Sequence, residues 1–545
     1  MKSFSPIQYF ILLFLASLTP STLKAELTIS GQVSAGNTYQ EVKTQSNGTR
    51  SLNTVELSPT VNATYQSKYL NGLWSSSVTH LERDRSDLST TDTYGEYNYQ
   101  LNWAPLPNVL LIEASGFLNF RNANTANFLI SDFFTNSEDL VKVRSNRVSS
   151  FINLDKGNWL NGEGTIAFSD TASDSSNLGN NALNNSSALL SGSVSNGNKL
   201  DRVIFELSGQ YEDTKREDNS AGDFITRKAA FFSDFVLFSD WALRATAFHE
   251  GNQVSSRLDS SSTVRQFNSY GIGVTYRQSA NRYIAVTMNR SDSHDEEDID
   301  DTFVGLDVGW ALSARTNFNA KYGRRFFGES ASADFSYNSK FFRSSFKYSE
   351  DVTNTSRLLA NQENLGVFVC PLNSFSIADC FQPNSLSYSP TIDEQLVQLS
   401  NQNIELQDNV ILRKSGNFQA GYDFSRVTVA LSWRYSEDEY LDFERLRRTY
   451  SFGTSLSYQL GKSTYIFASI DYANINDKSD DENFNGEGDN YNFNAGINRE
   501  FGKSLIVALD FTYLKQEGDI LSGFSAFGSD FTDRRLSASI TYTYD

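Results

Sequence analysis

No stretch of this 545-residue chain is apolar for long enough to cross a bilayer as a helix. Cysteine is nearly missing: Cys370 and Cys380 are the two present, close together in one loop-like stretch. In an oxidising compartment such a pair is most simply a local disulfide, and thiolate chemistry has no neighbouring histidine to support it. The three histidines, His80, His249 and His294, are as thinly supported. There is no Gly-x-Ser-x-Gly elbow, no His-Glu-x-x-His and no phosphate-cradling glycine loop. With no nucleophile–base pair to place, the chain reads as non-enzymatic and without a cofactor. Basic charge is short as well. Lys and Arg total 46 against 65 Asp and Glu, a net charge of −19 that excludes nucleic acid as a natural partner.

What the chain does have is alternation. In the last residues Leu536, Ala538, Ile540, Tyr542 and Tyr544 are apolar, and Ser537, Ser539, Thr541 and Thr543 lie between them. A period of two is a strand with one apolar and one polar face. Tyr491–Ile497, Tyr450–Leu460 and the segment around Phe342 repeat the pattern. Runs of about 10–13 residues match the length of a tilted strand spanning a bilayer. Aromatics make up 13% of the chain, Phe and Tyr far ahead of Trp, as two aromatic girdles require. Ile540, Tyr542 and Tyr544 then belong to a C-terminal strand of the kind that barrel-assembly machinery receives. The expected fold is all-β: a closed antiparallel outer-membrane barrel of about 24 strands, within 20 to 26.

The N-terminus agrees. Lys2, the apolar Tyr9–Leu18 and the small Ala25 read as a secretory signal over residues 1–25, with one barrel over 26–545 and no N-terminal plug domain. Connections alternate short and long, as periplasmic turns and outer loops do. Ser425-Arg426 and Phe501-Gly502-Lys503 are short, whereas Glu437–Arg447 and Asn474–Asn490 read as long acidic loops. Gly328-Glu329-Ser330 reads as a tight link on the side that otherwise carries long loops.

The irregular stretch Asp351–Asp408, with both cysteines and Pro371, Pro383 and Pro390, has the length to lie outside the barrel or to fold into its lumen. The acidic runs Asp292–Asp301 and Asp480–Glu482 lack calcium-loop spacing and read as solvated loops. Alternation sends Lys321, Arg325 and Arg434 to the lumen, where cations attract anions. Arg325 and Arg434 are expected near the mouth, in reach of loop acids such as Asp379, Asp393 and Glu394. Arg324 falls on the outer face, where an arginine can pair with lipopolysaccharide phosphate.

The segment Tyr322-Gly323-Arg324-Arg325-Phe326-Phe327-Gly328-Glu329-Ser330 is followed by Tyr-Ser-Glu-Asp at Tyr348–Asp351 and again at Tyr435–Asp438, with Arg445 and Arg447-Arg448 soon after. Tyr348 and Tyr435 fall in the outer aromatic belt by the alternation. This arrangement resembles the outer-membrane barrel proteins associated with the PEP-CTERM/exosortase system. The chain departs from that pattern in ending on Asp545 and in its cysteine loop. The resemblance implies a pore or structural component for exopolysaccharide export, with outer-membrane lipid, lipopolysaccharide, polysaccharide and export-system proteins as partners. A general diffusion porin and a non-conducting structural or adhesin barrel are the alternatives.

Overall fold

The computed structural model describes residues 25–44, 48–84, 90–123, 129, 132–134, 137–175, 182–217, 221–256, 262–293, 302–360, 367–371, 394–398, 406, 409–441, 444–479, 485–520 and 530–544. Residues 1–24 of the signal segment, Cys380, and residues 294–301 and 480–482 of the acidic runs lie outside the described residues, so the disulfide does too.

Nearly everything described is strand. The wall begins with β1 (Glu26–Thr44), β2 (Gly48–Gln66), β3 (Leu70–Arg83), β4 (Thr91–Leu106), β5 (Leu110–Asn122) and β6 (Leu140–Leu154). It continues through β7 (Leu160–Ser173), β8 (Asn184–Asn196), β9 (Val203–Arg216), β10 (Ala221–Phe238), β11 (Trp241–Ser256) and β12 (Ser262–Ser279). Next come β13 (Arg282–Ser293), β14 (Thr302–Ser313), β15 (Thr316–Arg325), β16 (Gly328–Asn338) and β17 (Phe342–Asn354). After a helical turn α1 (Thr355–Ala360) and a separate hairpin of β18 (Val367–Pro371) and β19 (Glu394–Gln398), the wall resumes with β20 (Val410–Phe424) and β21 (Val427–Tyr440). It ends with β22 (Arg445–Gln459), β23 (Thr464–Ser479), β24 (Gly486–Phe501), β25 (Leu505–Gly518) and β26 (Phe531–Tyr544).

These form one 24-stranded antiparallel sheet in which each strand pairs with the next. β26 pairs back on β1, from Gly31↔Tyr544 to Thr44↔Phe531, so the sheet closes. At that seam the Tyr544 ring lies where a side chain at residue 31 would stand: a Cβ there would sit 2.2 Å from Tyr544 Cζ, so the position takes glycine. The closed ring leaves no free edge strand, and the ladder pairs backbone groups around the whole wall, as a hydrocarbon environment demands.

The two faces differ as the alternation requires. Outward residues such as Ile29, Ile272, Met288 and Ile540 are 54–69% exposed, and dozens of large apolar neighbours share that surface. A continuous apolar band of this extent is a lipid-facing surface, and the chain is an integral outer-membrane barrel. Aromatic pairs mark both borders, with Trp241–Tyr276 at one end and Tyr435–Tyr450 and Tyr472–Tyr491 at the other. Both termini of the wall lie at the end with two-residue turns (239–240, 280–281, 314–315, 425–426). By the usual asymmetry that end is periplasmic and the opposite end, with the segments 123–139 and 355–409, is extracellular.

Three expectations about connections are corrected. Glu437–Arg447 and Asn474–Asn490 are largely strand, because β21 to β24 run past the membrane. Their charges pair across the ladder: Asp351, Arg413, Asp438, Arg447 and Asp477 are successive register partners across β17–β23, an alternation of acid and base. Strands accordingly reach 19 residues rather than stopping where the apolar alternation stops. The tight turn after β15 is Phe326-Phe327, not Gly328-Glu329-Ser330; Arg325 pairs with Gly328, whose φ of +107° glycine adopts without strain. The long excursion starts at Thr355 rather than Asp351, since β17 stays paired to β20 up to Asn354↔Val410.

Candidate functional site: the lumen and its extracellular mouth

A barrel of this strand number encloses a lumen wide enough to need filling or gating. Its inner wall is not uniform. Along β10–β14 inward side chains bond across several strands. Arg244 of β11 donates two hydrogen bonds to Asp234 of β10, at 2.7 and 2.8 Å, and a third to Asp307 of β14 at 2.7 Å. Arg277 and Thr275 of β12 donate to the same Asp234, at 2.7 and 2.9 Å. Phe232 and Tyr283 cover the guanidinium, with ring centroids 4.7 and 5.5 Å from its carbon. Asp234 and Arg244 are fully buried. A side chain joining strands three apart holds the sheet in a crease.

From β24 round to β4 the inner face is an arc rich in amides and hydroxyls: Asn492 and Asn494, then Gln32, Ser34 and Thr38, then Asn98 and Gln100, with Asp510, Glu56 and Glu96 among them. Hydroxyl pairs tie the seam, Thr38 to Ser537 at 2.9 Å and Thr541 to Ser34 at 3.0 Å.

At the extracellular end the described loop residues turn inward. Val352 of β17, with Val410 and Leu412 of β20, packs on Phe224 and Val254 of β10 and β11, under Phe326, Phe327 and Leu441. β17 and β10 are seven strands apart in the ring. Beyond it α1 crosses further. Arg357 donates to Thr214 and Thr226 at 3.0 and 2.9 Å, pairs with Glu212 at 3.1 Å and lies 4.0 Å over the Phe224 ring. Ser356 meets Asn185 of β8, and Leu359 joins Phe117, Val143 and Leu183 with Leu406 from the far end of the excursion. The segment after β5 crosses the other way. Leu129 packs with Ala473, Ile475 and Ile520, Asp132 accepts from Arg535 at 2.7 Å, and the Phe133 carbonyl accepts from Arg83 at 2.8 Å. Ala123, where this segment starts, is in the same cluster as Leu359, so the two crossings meet.

The residues singled out by sequence fall in different places. Arg325 stands at the mouth, partly buried, bonded through Nε to Glu250 at 2.7 Å and through Nη1 to the Glu350 carbonyl at 2.5 Å, with Asp351 at 3.3 Å. Its partners are therefore wall acids; Asp379 and Asp393 lie outside the described residues. Lys228 of β10 reaches Asp351 from the other side. Lys321 faces the lumen, exposed, opposite Ser332 in the register. Arg434 lies lower on the wall than Arg325, between Asn417 and Ser451. Arg324 is opposite Glu329 on the outer face.

Tyr348 and Tyr435 stand on the outer face, donating to Glu350 at 2.7 Å and Glu437 at 3.1 Å. Glu437 also binds Lys414 at 3.0 Å and Arg448 at 2.7 Å. Ile540, Tyr542 and Tyr544 face lipid on β26. His80 and His249 bond to Thr93 and Asn268. Glu250, Arg244 and Asp234 carry much of the lumen chemistry with no sequence signal beyond inward parity, and Arg357, in α1, has not even that.

No protein-family model and no curated protein matches this sequence. Similar solved structures include the FrpB iron transporter from Neisseria meningitidis (F5-1 variant), with TM-score 0.46 and 9% identity over 95% of this chain and 83% of that one. The siderophore receptor PirA from Pseudomonas aeruginosa has TM-score 0.37 and 8% identity, over 95% and 80% of the two chains. OmpT, an outer membrane protein of Vibrio cholerae, has TM-score 0.31 and 7% identity, over 96% and 100%.

Proposed function

We propose that this barrel is a gated pore for polyhydroxylated solutes, a saccharide chain being the best fit. The observation that carries the reading is the arc from β24 to β4. Its asparagine, glutamine, serine and threonine side chains supply both donors and acceptors at membrane depth, the chemistry that exchanges hydrogen bonds with sugar hydroxyls. The inward-turned segments at the mouth supply the gate that a wide lumen needs. The sequence resemblance to barrels of exopolysaccharide-export systems supports the same reading and adds export-system proteins and lipopolysaccharide as partners. Liposome swelling tests it. Vesicles holding a variant with residues 355–409 replaced by a short Gly/Ser turn should admit maltohexaose readily, and those holding the full chain much more slowly. Vesicles that stay osmotically tight to sugars with either protein would show a non-conducting barrel instead.

A further inference from the structure

The lumen separates its charge across the barrel. On the inner face of β15–β22 the register sets Asn319, Asp334, Lys347, Asn417, Arg434 and Ser451 side by side on one rung. Lys321 stands on the rung above, next to Asp307, whose carboxylate is bound by Arg244. Arg343 stands near the periplasmic start of β17. These four cations share that stretch of wall with Asp334, directly opposite Lys347. The far side has the other sign. Glu113, Glu163 and Glu206 project inward near the periplasmic starts of β5, β7 and β9, with Arg147 above them and Arg202 just before β9, and Glu163 and Glu206 are exposed. In a ring of 24 strands, β5–β9 and β15–β21 lie about half a circumference apart.

Opposed charged faces across a lumen with low-dielectric walls set up a transverse field that draws an anion to one side and repels it from the other. Between the cations on β15–β21 stand Asn319, Asn417 and Ser345, which hydrogen-bond hydroxyls. We propose that the inner face of β15–β21 is a binding track for an anionic polyhydroxylated strand, that is, a saccharide chain carrying carboxylates. Lys321, Lys347 and Arg434 hold the charged groups and the intervening amides and serines meet the hydroxyls. This rests on the saccharide-pore reading and names the class of saccharide.

The test is binding of hexagalacturonate and of neutral maltohexaose to the full chain in detergent, by calorimetry. Wild type should bind hexagalacturonate saturably, more weakly with rising salt, and at least tenfold more tightly than maltohexaose. The variant Lys321→Gln/Lys347→Gln/Arg434→Gln should lose tenfold or more. The variant Glu113→Gln/Glu163→Gln/Glu206→Gln should bind as well as wild type or more tightly, which shows that the barrel tolerates triple changes on its inner wall. Equal affinity for the two sugars, or unchanged affinity in the cation variant, overturns the track. So does an absence of saturable binding, in which case sugar passage into liposomes would still uphold the pore.

Discussion

The inner wall between Phe232 and Asp307 behaves like the core of a soluble domain, whereas from Asn492 round to Gln100 it behaves like a hydrated surface. Both are built of alternating strands with equally apolar outer faces, so the difference lies wholly in the inward residues. In the crease these are phenylalanines, glycines and a fully buried arginine whose donors are shared between two aspartates. In the arc they are mostly short hydroxyls and amides, and the hydroxyl pairs Thr38–Ser537 and Ser34–Thr541 join adjacent strands. A guanidinium with strong bonds to strands on both sides pulls the sheet into a bend, and small residues let it close. Serine and threonine reach no further than the next strand, so the wall stays open.

Substitutions that break this contrast should differ in size. Arg244→Ala leaves Asp234 buried without its main partner and should cost about 3–5 kcal/mol. Urea unfolding followed by loss of the heat-modifiable band on gels would measure it, with Asn494→Ala in the arc changing stability by less than about 0.5 kcal/mol. Next comes Gly273→Ala in the crease, where a Cβ would lie 2.0 Å from the Val286 carbonyl oxygen. Overpacking against backbone should cost about 1–3 kcal/mol in the same assay. Gly421→Ala, with nothing within 4 Å of the added carbon, should be neutral or slightly stabilising. Equal costs at the two glycines would argue against a packed crease. The smallest effect belongs to the mouth. Asp132→Ala removes a half-exposed partner of Arg535 and should cost under about 1 kcal/mol, while raising the frequency of brief channel openings in bilayer recordings.

Much of the wall was legible because lipid outside and polar groups inside impose a strict period of two, and the ring has 24 strands as the alternation suggested. The ends were harder. Asp438, Arg447 and Asp477 are charged because they project beyond the membrane, and a reader following apolar alternation stops short of them although the ladder continues. The crease left no trace in the pattern. Arg244, Asp307 and Glu250 are single inward positions on separate strands, and nothing local says which will meet. The partners of Arg325 followed the same logic: proximity in the closed ring brought Glu250 to it, 75 residues back along the chain.

Single-channel conductance compared before and after opening the mouth tests the account at its centre. The full chain in a planar bilayer should be nearly silent or flicker at low conductance. Replacing residues 355–409 by a short Gly/Ser turn, which removes α1 and its contacts to β6–β10, should raise conductance several-fold while the barrel still migrates as a folded, heat-modifiable species. A full chain that already conducts steadily at the level of the replaced variant would contradict a lumen roofed by its own inward-turned segments.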